Sequence, residues 1–234
     1  MRFISTALHQ TRVDGALQRN YPLPGMFDFG LLDGARINKT LERLAITPDG
    51  RCAWLAMEAA LRQDGDEPTM AAVSGPCRFT QINLTSGKIM RQTAYEPDAI
   101  PNAPSPPSAN ADNGVGEILM LHEHRLLVLE RACMAGLSDA LRNSIWLYAI
   151  DTRQGSNTLR MAALKAGNHM PAARRRVADF ANYPLLARVD NTQGMCWEPT
   201  LPNGNRTLVF VSDDNFNRRQ IIQFLAFECQ ESTP

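Results

Sequence analysis

Nowhere in its 234 residues does the chain carry 18 consecutive apolar residues, so no membrane-spanning helix is expected. The opening residues, MRFISTALHQTRVDG, lack a continuous apolar core, because Gln10 and Arg12 come too soon. A secretion signal is therefore not expected in this stretch, and the sequence reads as a soluble chain. Net charge is missing too, with 24 Lys and Arg against 24 Asp and Glu. Without a field of one sign, nucleic acid and acidic membranes are not expected partners. The run Arg174–Arg176 has no interleaved aromatics and is expected in a solvated loop. There is no C-x-x-C pair among Cys52, Cys77, Cys133, Cys196 and Cys229, so zinc ligation is not expected, while a disulfide stays open. Cys52 and Cys196 lie inside apolar runs and are expected as small core residues. The G-x-S-x-G elbow, the Walker loop and the dinucleotide fingerprint are absent as well. No organic cofactor is expected, and Ser212 has no evident histidine to activate it. His9 and His169 stand alone, and His122 and His124 flank Glu123 at an expected hairpin tip.

What the chain does have is a repeat. Leu41–Glu58 (LERLAITPDGRCAWLAME), Val115–Arg131 (VGEILMLHEHRLLVLER) and Thr192–Asp214 share one plan. Each opens with Glu or Gln beside an apolar run, turns at a polar knot, and climbs a second apolar run to a carboxylate. Glu42, Glu117 and Gln193 lie 75 and 76 residues apart. A long fixed period built from short β-type runs predicts sheets fanned around a common axis.

Alternation and turn residues predict the strands. Ile46 ends one strand before the tight turn Pro48-Asp49-Gly50. Cys52–Met57, Arg78–Leu84 and Ile89–Tyr95 follow, completing a four-stranded blade over 38–95. A second blade over 113–160 contains Glu117–Leu121, Leu126–Glu130 and Ile145–Ile150. A third over 191–230 contains Met195–Glu198, Thr207–Ser212 and Ile221–Phe227. Arg2–Leu8 and Ala16–Tyr21, within 1–22, are expected to be the outer strands of a blade whose inner strands are absent. Glu96–Asn113, with five prolines, is expected as an extended surface loop, and Leu159–Tyr183 as an insertion with a short helix around Ala162–Ala166. The fold expected is all-β, a partial β-propeller of about three four-stranded antiparallel blades forming one domain. A closed ring takes about four to eight blades. The chain is thus expected to be the distal part of a longer protein, its sheet edges covered by missing blades or by self-association.

Matching carboxylates propose a site at the hub. Glu42, Glu58, Glu117, Glu130 and Asp213 are expected near one another, where they repel unless a cation or an arginine sits among them. Hard oxygen donors favour Ca²⁺ or Mg²⁺, with Asn215 as an amide ligand. Such an ion would polarise a phosphoryl oxygen and activate a bound water. Glu130, Arg131 and Asp213 are the candidate catalytic residues, Arg131 gripping substrate phosphate with its fork of donors. The bland reading is that these carboxylates accept backbone N–H groups and fasten one blade to the next.

Asn38-x-x-Leu41-Glu42-x-Leu44-Ala45-x-x-Pro48-Asp49-Gly50 is similar to the N-x-G-F-E-G-L-A-x-x-P-D-G opening of the phytase-like domain, also called the esterase-like activity of phytase family. Leu126–Arg131 resembles that family's R-L-L-V-L-E-R strand. Leu208–Phe216 with Gln223-Phe224-Leu225 resembles its closing L-V-S-D-D-N-F … Q-F-L run. The resemblance covers about Arg2 to Glu228 and corresponds to the C-terminal portion of a family member. It implies a β-propeller, usually exported to the bacterial periplasm or secreted, hydrolysing a small phosphoester or other ester. Where the family has Glu-Gly this chain has Glu42-Arg43, and where it has Asn-x-Glu-Gly this chain has Asn191-Thr192-Gln193-Gly194. Both departures weaken an ion site. A non-catalytic propeller binding a ligand or a protein is the alternative, and a lactonase-like propeller with a channel Ca²⁺ is a third.

Overall fold

A computed structural model describes residues 6–106, 110–135, 141–186 and 188–230. The expected strand Arg2–Leu8 lies partly outside these residues. The strands in chain order are β1 (Ala7–Thr11), β2 (Leu17–Pro22), β3 (Leu41–Ile46), β4 (Cys52–Met57), β5 (Cys77–Asn83), β6 (Ile89–Tyr95), β7 (Ala111–His122), β8 (Arg125–Ala135), β9 (Leu141–Asp151), β10 (Arg174–Asp179), β11 (Thr192–Glu198), β12 (Arg206–Ser212) and β13 (Phe224–Cys229). They form four antiparallel sheets: β1-β2, β3-β4-β5-β6, β7-β8-β9-β10 and β11-β12-β13. The described residues contain no α-helix and close no barrel, and the sheets fit the blades of a partial propeller.

The sheets stack face to face, and apolar periodicity shows why. Along β8, Leu126 and Val128 point into a core shared with Trp54, Phe79 and Tyr95 of the blade before. The alternate residues Leu127 and Leu129 point into a second core with Phe180, just after β10, and with Leu208 and Phe210 of the blade after. A strand covered on both faces needs a continuous apolar run, which LLVL supplies. Phe79 and Tyr95 stack at 5.2 Å in the first core, and Phe180 meets Phe210 edge-on at 5.0 Å in the second.

The N-terminal hairpin covers the remaining face of the β3–β6 blade through Tyr21, which is buried with Leu55 and Ile82. Arg19 Nη1 and the Tyr21 hydroxyl both donate to the Leu84 carbonyl, at 2.8 and 2.9 Å. The two hydrogen bonds reach the residue just after β5. On the same face of inner strand β3, Leu44 and Ile46 remain 42% and 53% exposed. The hairpin packs as a two-stranded sheet on that face of the blade.

Local turns follow their residues. Gly50 sits at φ 69°, its N–H donating to the Thr47 carbonyl at 2.8 Å. Asp49 Oδ1 accepts from Thr47 Oγ1 and the Arg51 amide, and those donors hold its carboxyl below the usual range. Only a residue free of Cβ adopts that left-handed backbone without cost. Glu123 and His124 form the β7–β8 turn.

Three expectations are corrected. The Arg174–Arg176 run is the outermost strand of its blade, β10, paired with β9 from Arg174↔Ile150 onward. Three consecutive arginines had concealed a sheet edge, where arginine is well tolerated. The stretch around Ala162–Ala166 forms turns and no helix. Leu164 is pinned there instead by its amide, which donates to the buried Asp64 at 2.8 Å. Cys196 is exposed and Cys52 half-buried, and Cys52, Cys77, Cys133, Cys196 and Cys229 are free thiols.

Candidate functional site

Strand β7 lies between β3 and β11 and touches both, so these three strands line the hub. Each carries a bulge near its start. In β3 the ladder passes from Leu41↔Met57 to Arg43↔Ala56, leaving Glu42 unpaired. In β7 it passes from Val115↔Glu130 to Glu117↔Leu129, leaving Gly116 out. In β11 it passes from Thr192↔Ser212 to Gly194↔Val211, leaving Gln193 out. The structural equivalents are therefore Glu42, Gly116 and Gln193, followed by Arg43, Glu117 and Gly194. On the second strands Met57 matches Glu130 and Ser212, while Glu58 matches Arg131 and Asp213. A count along the sequence misplaces Glu117 and Glu130 by one residue. Side chains alternate along a strand, so one residue reverses the face.

The predicted residues fall in three places, and the reversal accounts for Glu130. Glu42 and Glu58 lie at the hub with Arg43 and Arg131, and Glu117 neighbours the group through Arg43. Arg131 Nη2 lies 3.8 Å from Glu58 Oε1, and Arg43 Nη1 lies 3.5 Å from Glu42 Oε2. The Nε groups of Arg43 and Arg131 are buried and have no hydrogen-bond partner. Burial and the neighbouring Glu42 charge push the Glu58 carboxyl up to about 7, against the pull of Arg131 and Arg43. Burial also raises Glu117, although its carboxylate accepts the Ile118 amide at 2.9 Å. The Val115 amide donates to the Glu58 carbonyl at 3.0 Å, stitching one blade to the next.

Glu130 points the other way and is fully buried. Its Oε1 accepts from the Tyr95 hydroxyl and from Arg174 Nη1, the latter at 2.7 Å. Its Oε2 accepts from the Asp98 amide at 2.9 Å and from Asn113 Nδ2 at 3.1 Å. Arg174 also pairs with Asp98, which accepts from the Tyr148 hydroxyl and from Arg176. Burial pushes the Glu130 carboxyl up and holds the Tyr95 hydroxyl well above its ordinary range. Four donors occupy this carboxylate, so it binds two blades and the proline-rich loop into one network. Sequence reasoning missed Tyr95, Asp98 and Arg174, because they come from three separate segments.

Asp213 and Asn215 occupy a third place, the turn after β12. Asp213 Oδ1 accepts the Asn215 amide at 2.9 Å, and Asn191 Nδ2 donates to the Asp213 carbonyl at 3.2 Å. Ser212 is equally committed, its hydroxyl donating to the Ile221 carbonyl at 2.7 Å.

Among the described residues no three His, Cys, Asp or Glu side chains converge to hold a metal ion. The hub donors do not fit a divalent cation. Two guanidinium groups already stand among the three carboxylates, and their charge offsets the repulsion that a cation would otherwise relieve. The hub is instead suited to an anion. A guanidinium with unmet donors, held in a partly dry setting, binds a carboxylate or phosphate oxygen more strongly than it would in water.

No curated protein and no solved structure matches the chain. Residues 5–216 match the family described as Phytase-like, esterase-like activity of phytase. The bulged hub strands and the closing turn fall inside the matched span, and the chain belongs to that phytase-like family.

Proposed function

We propose that the chain acts on a small anionic ester, a phosphoester first, at the hub formed by Arg43, Arg131, Glu58 and Glu42. The observation that carries this reading is the pair of guanidinium groups of Arg43 and Arg131 set beside a carboxyl raised to about 7. Arg43 and Arg131 hold the anionic oxygens. Water adds to phosphorus as the bond to the leaving oxygen breaks. Glu58, about half protonated at neutral pH, gives its proton to the leaving oxygen, and Glu42, the more open carboxylate, takes the proton of the attacking water. Charge stabilisation comes from the arginines, so no step requires a metal.

Hydrolysis of p-nitrophenyl phosphate and p-nitrophenyl acetate tests this, with and without EDTA. Turnover insensitive to EDTA is expected, with Glu58→Gln lowering kcat and Arg131→Gln raising KM, each by about tenfold to a hundredfold. Turnover that EDTA abolishes, or that survives both substitutions, overturns the proposal. No turnover of either ester would favour the binding propeller instead.

A further inference from the structure

A second cavity lies on the other side of strand β8, between the β7–β10 and β11–β13 blades, with a volume of about 570 Å³. Its walls join Trp197, Tyr183 and Phe227 to Arg125, Arg175 and Arg206. The aromatic wall is fixed. Trp197 Nε1 donates to the Met120 carbonyl at 2.9 Å, and Tyr183 meets Phe227 edge-on at 4.9 Å. The Arg206 guanidinium carbon lies over the Trp197 ring, 3.6 Å from its centroid. Among the described residues, none of the three arginines donates a side-chain hydrogen bond or closes an ion pair. The carboxylate at the wall, Glu228, is already engaged by Asn203 and Asn205, at 2.7 and 2.5 Å.

Arg125 and Arg175 are open to solvent and Arg206 is half-buried, so their guanidinium donors stand free for an anion at the cavity, although Asp151 lies across the strand pair from Arg125. Cavities of about 300–1,000 Å³ with an apolar lining and a few placed polar groups are where small ligands bind. The geometry points to a binding site for a flat aromatic anion, its ring against Trp197 and Tyr183 and its acid group among Arg206, Arg175 and Arg125. The stacked guanidinium favours a planar acid, because it can offer its fork without leaving the indole face. The site shares no residue with the hub, so it stands whether or not the chain turns over esters.

Titration of the whole protein with 1-naphthoate, followed by tryptophan fluorescence and calorimetry, tests the site. Trp54 is fully buried and Trp146 mostly so, and neither lines the cavity, which leaves Trp197 as the reporter. Saturable binding is expected, with the neutral analogue 1-naphthalenemethanol weaker by about tenfold or more. Arg206→Gln is expected to weaken naphthoate by about tenfold and leave the neutral analogue unchanged. Arg175→Gln, on the exposed edge strand, keeps the test sound should Arg206→Gln misfold, and is expected to weaken naphthoate severalfold. Arg12→Gln, in the N-terminal hairpin, is the matched charge control and should bind as the parent does. No saturable binding up to about 5 mM overturns the inference. So does equal affinity for acid and alcohol, or full binding in folded Arg206→Gln and Arg175→Gln.

Discussion

Replacing Glu130 by Gln separates a fastening role from a catalytic one. The wild-type carboxylate offers two acceptors, each meeting two donors: Tyr95 and Arg174 at Oε1, the Asp98 amide and Asn113 Nδ2 at Oε2. An amide in the same place keeps one acceptor and turns the other into a donor facing donors. Arg174 also loses its fully buried partner, though Asp98 remains to it. Asn113 Oδ1 has no partner and could accept from the new amide after a flip, at the expense of the bond from Nδ2 to the Asp98 carbonyl. Each mismatched buried donor costs about 1–3 kcal/mol, and the flip recovers part of that. The expected loss is about 2–4 kcal/mol, a fall in Tm of roughly 5–15 °C for a chain of this size. Calorimetric melting measures it. A variant melting within about 2 °C of the parent would refute the view of Glu130 as a fastener.

Three further outcomes follow from the same physics. Glu58, raised by burial from 4.5 to about 7, contributes stability that is complete below about 4.5 and lost as pH climbs through 7. Glu58→Gln should flatten that slope, and pH-resolved urea unfolding checks it. Arg78 and Asp64, both fully buried, form a two-bond pair at 2.6 and 2.8 Å. Arg78→Met strands the carboxylate and should cost about 3–5 kcal/mol, whereas the double variant with Asp64→Leu should regain much of it in thermal melts. Finally, Leu44→Lys with Ile46→Lys places charge on the bare face of β3 and should reduce self-association in sedimentation velocity. An unchanged distribution would show that this face attracts nothing.

The sheet-by-sheet plan was legible because it rests on strong local signals. LLVL, IWLYAI and CAWLAM announce covered strands, and Pro48-Asp49-Gly50 and Thr85-Ser86-Gly87 announce tight turns. Even the N-terminal hairpin was visible from the Val13-Asp14-Gly15 turn. Strand β10 was not, since Arg174, Arg175 and Arg176 gain their extended form from pairing with Tyr148, Ala149 and Ile150 and carry no apolar alternation. The hub was half legible. Glu42, Glu58 and Arg131 do share one place, with Glu117 beside them, but Glu130 does not. A bulge adds a residue without changing composition, so its position is set by the ladder and leaves no mark in spacing.

The bulges also govern how this chain can be compared or recombined with its relatives. A swap of hub residues made by counting along the primary structure would carry a hub group into the dry seam between blades, as the pairing of Glu58 with Glu130 would have done. Transplants should instead be keyed to cross-strand partners, Leu41 to Val115 to Thr192. Under that rule Gly116 stands where its counterparts are Glu42 and Gln193, and a side chain placed there would have to push Leu129 aside, whose Cδ2 lies 2.6 Å from where a Cβ would sit.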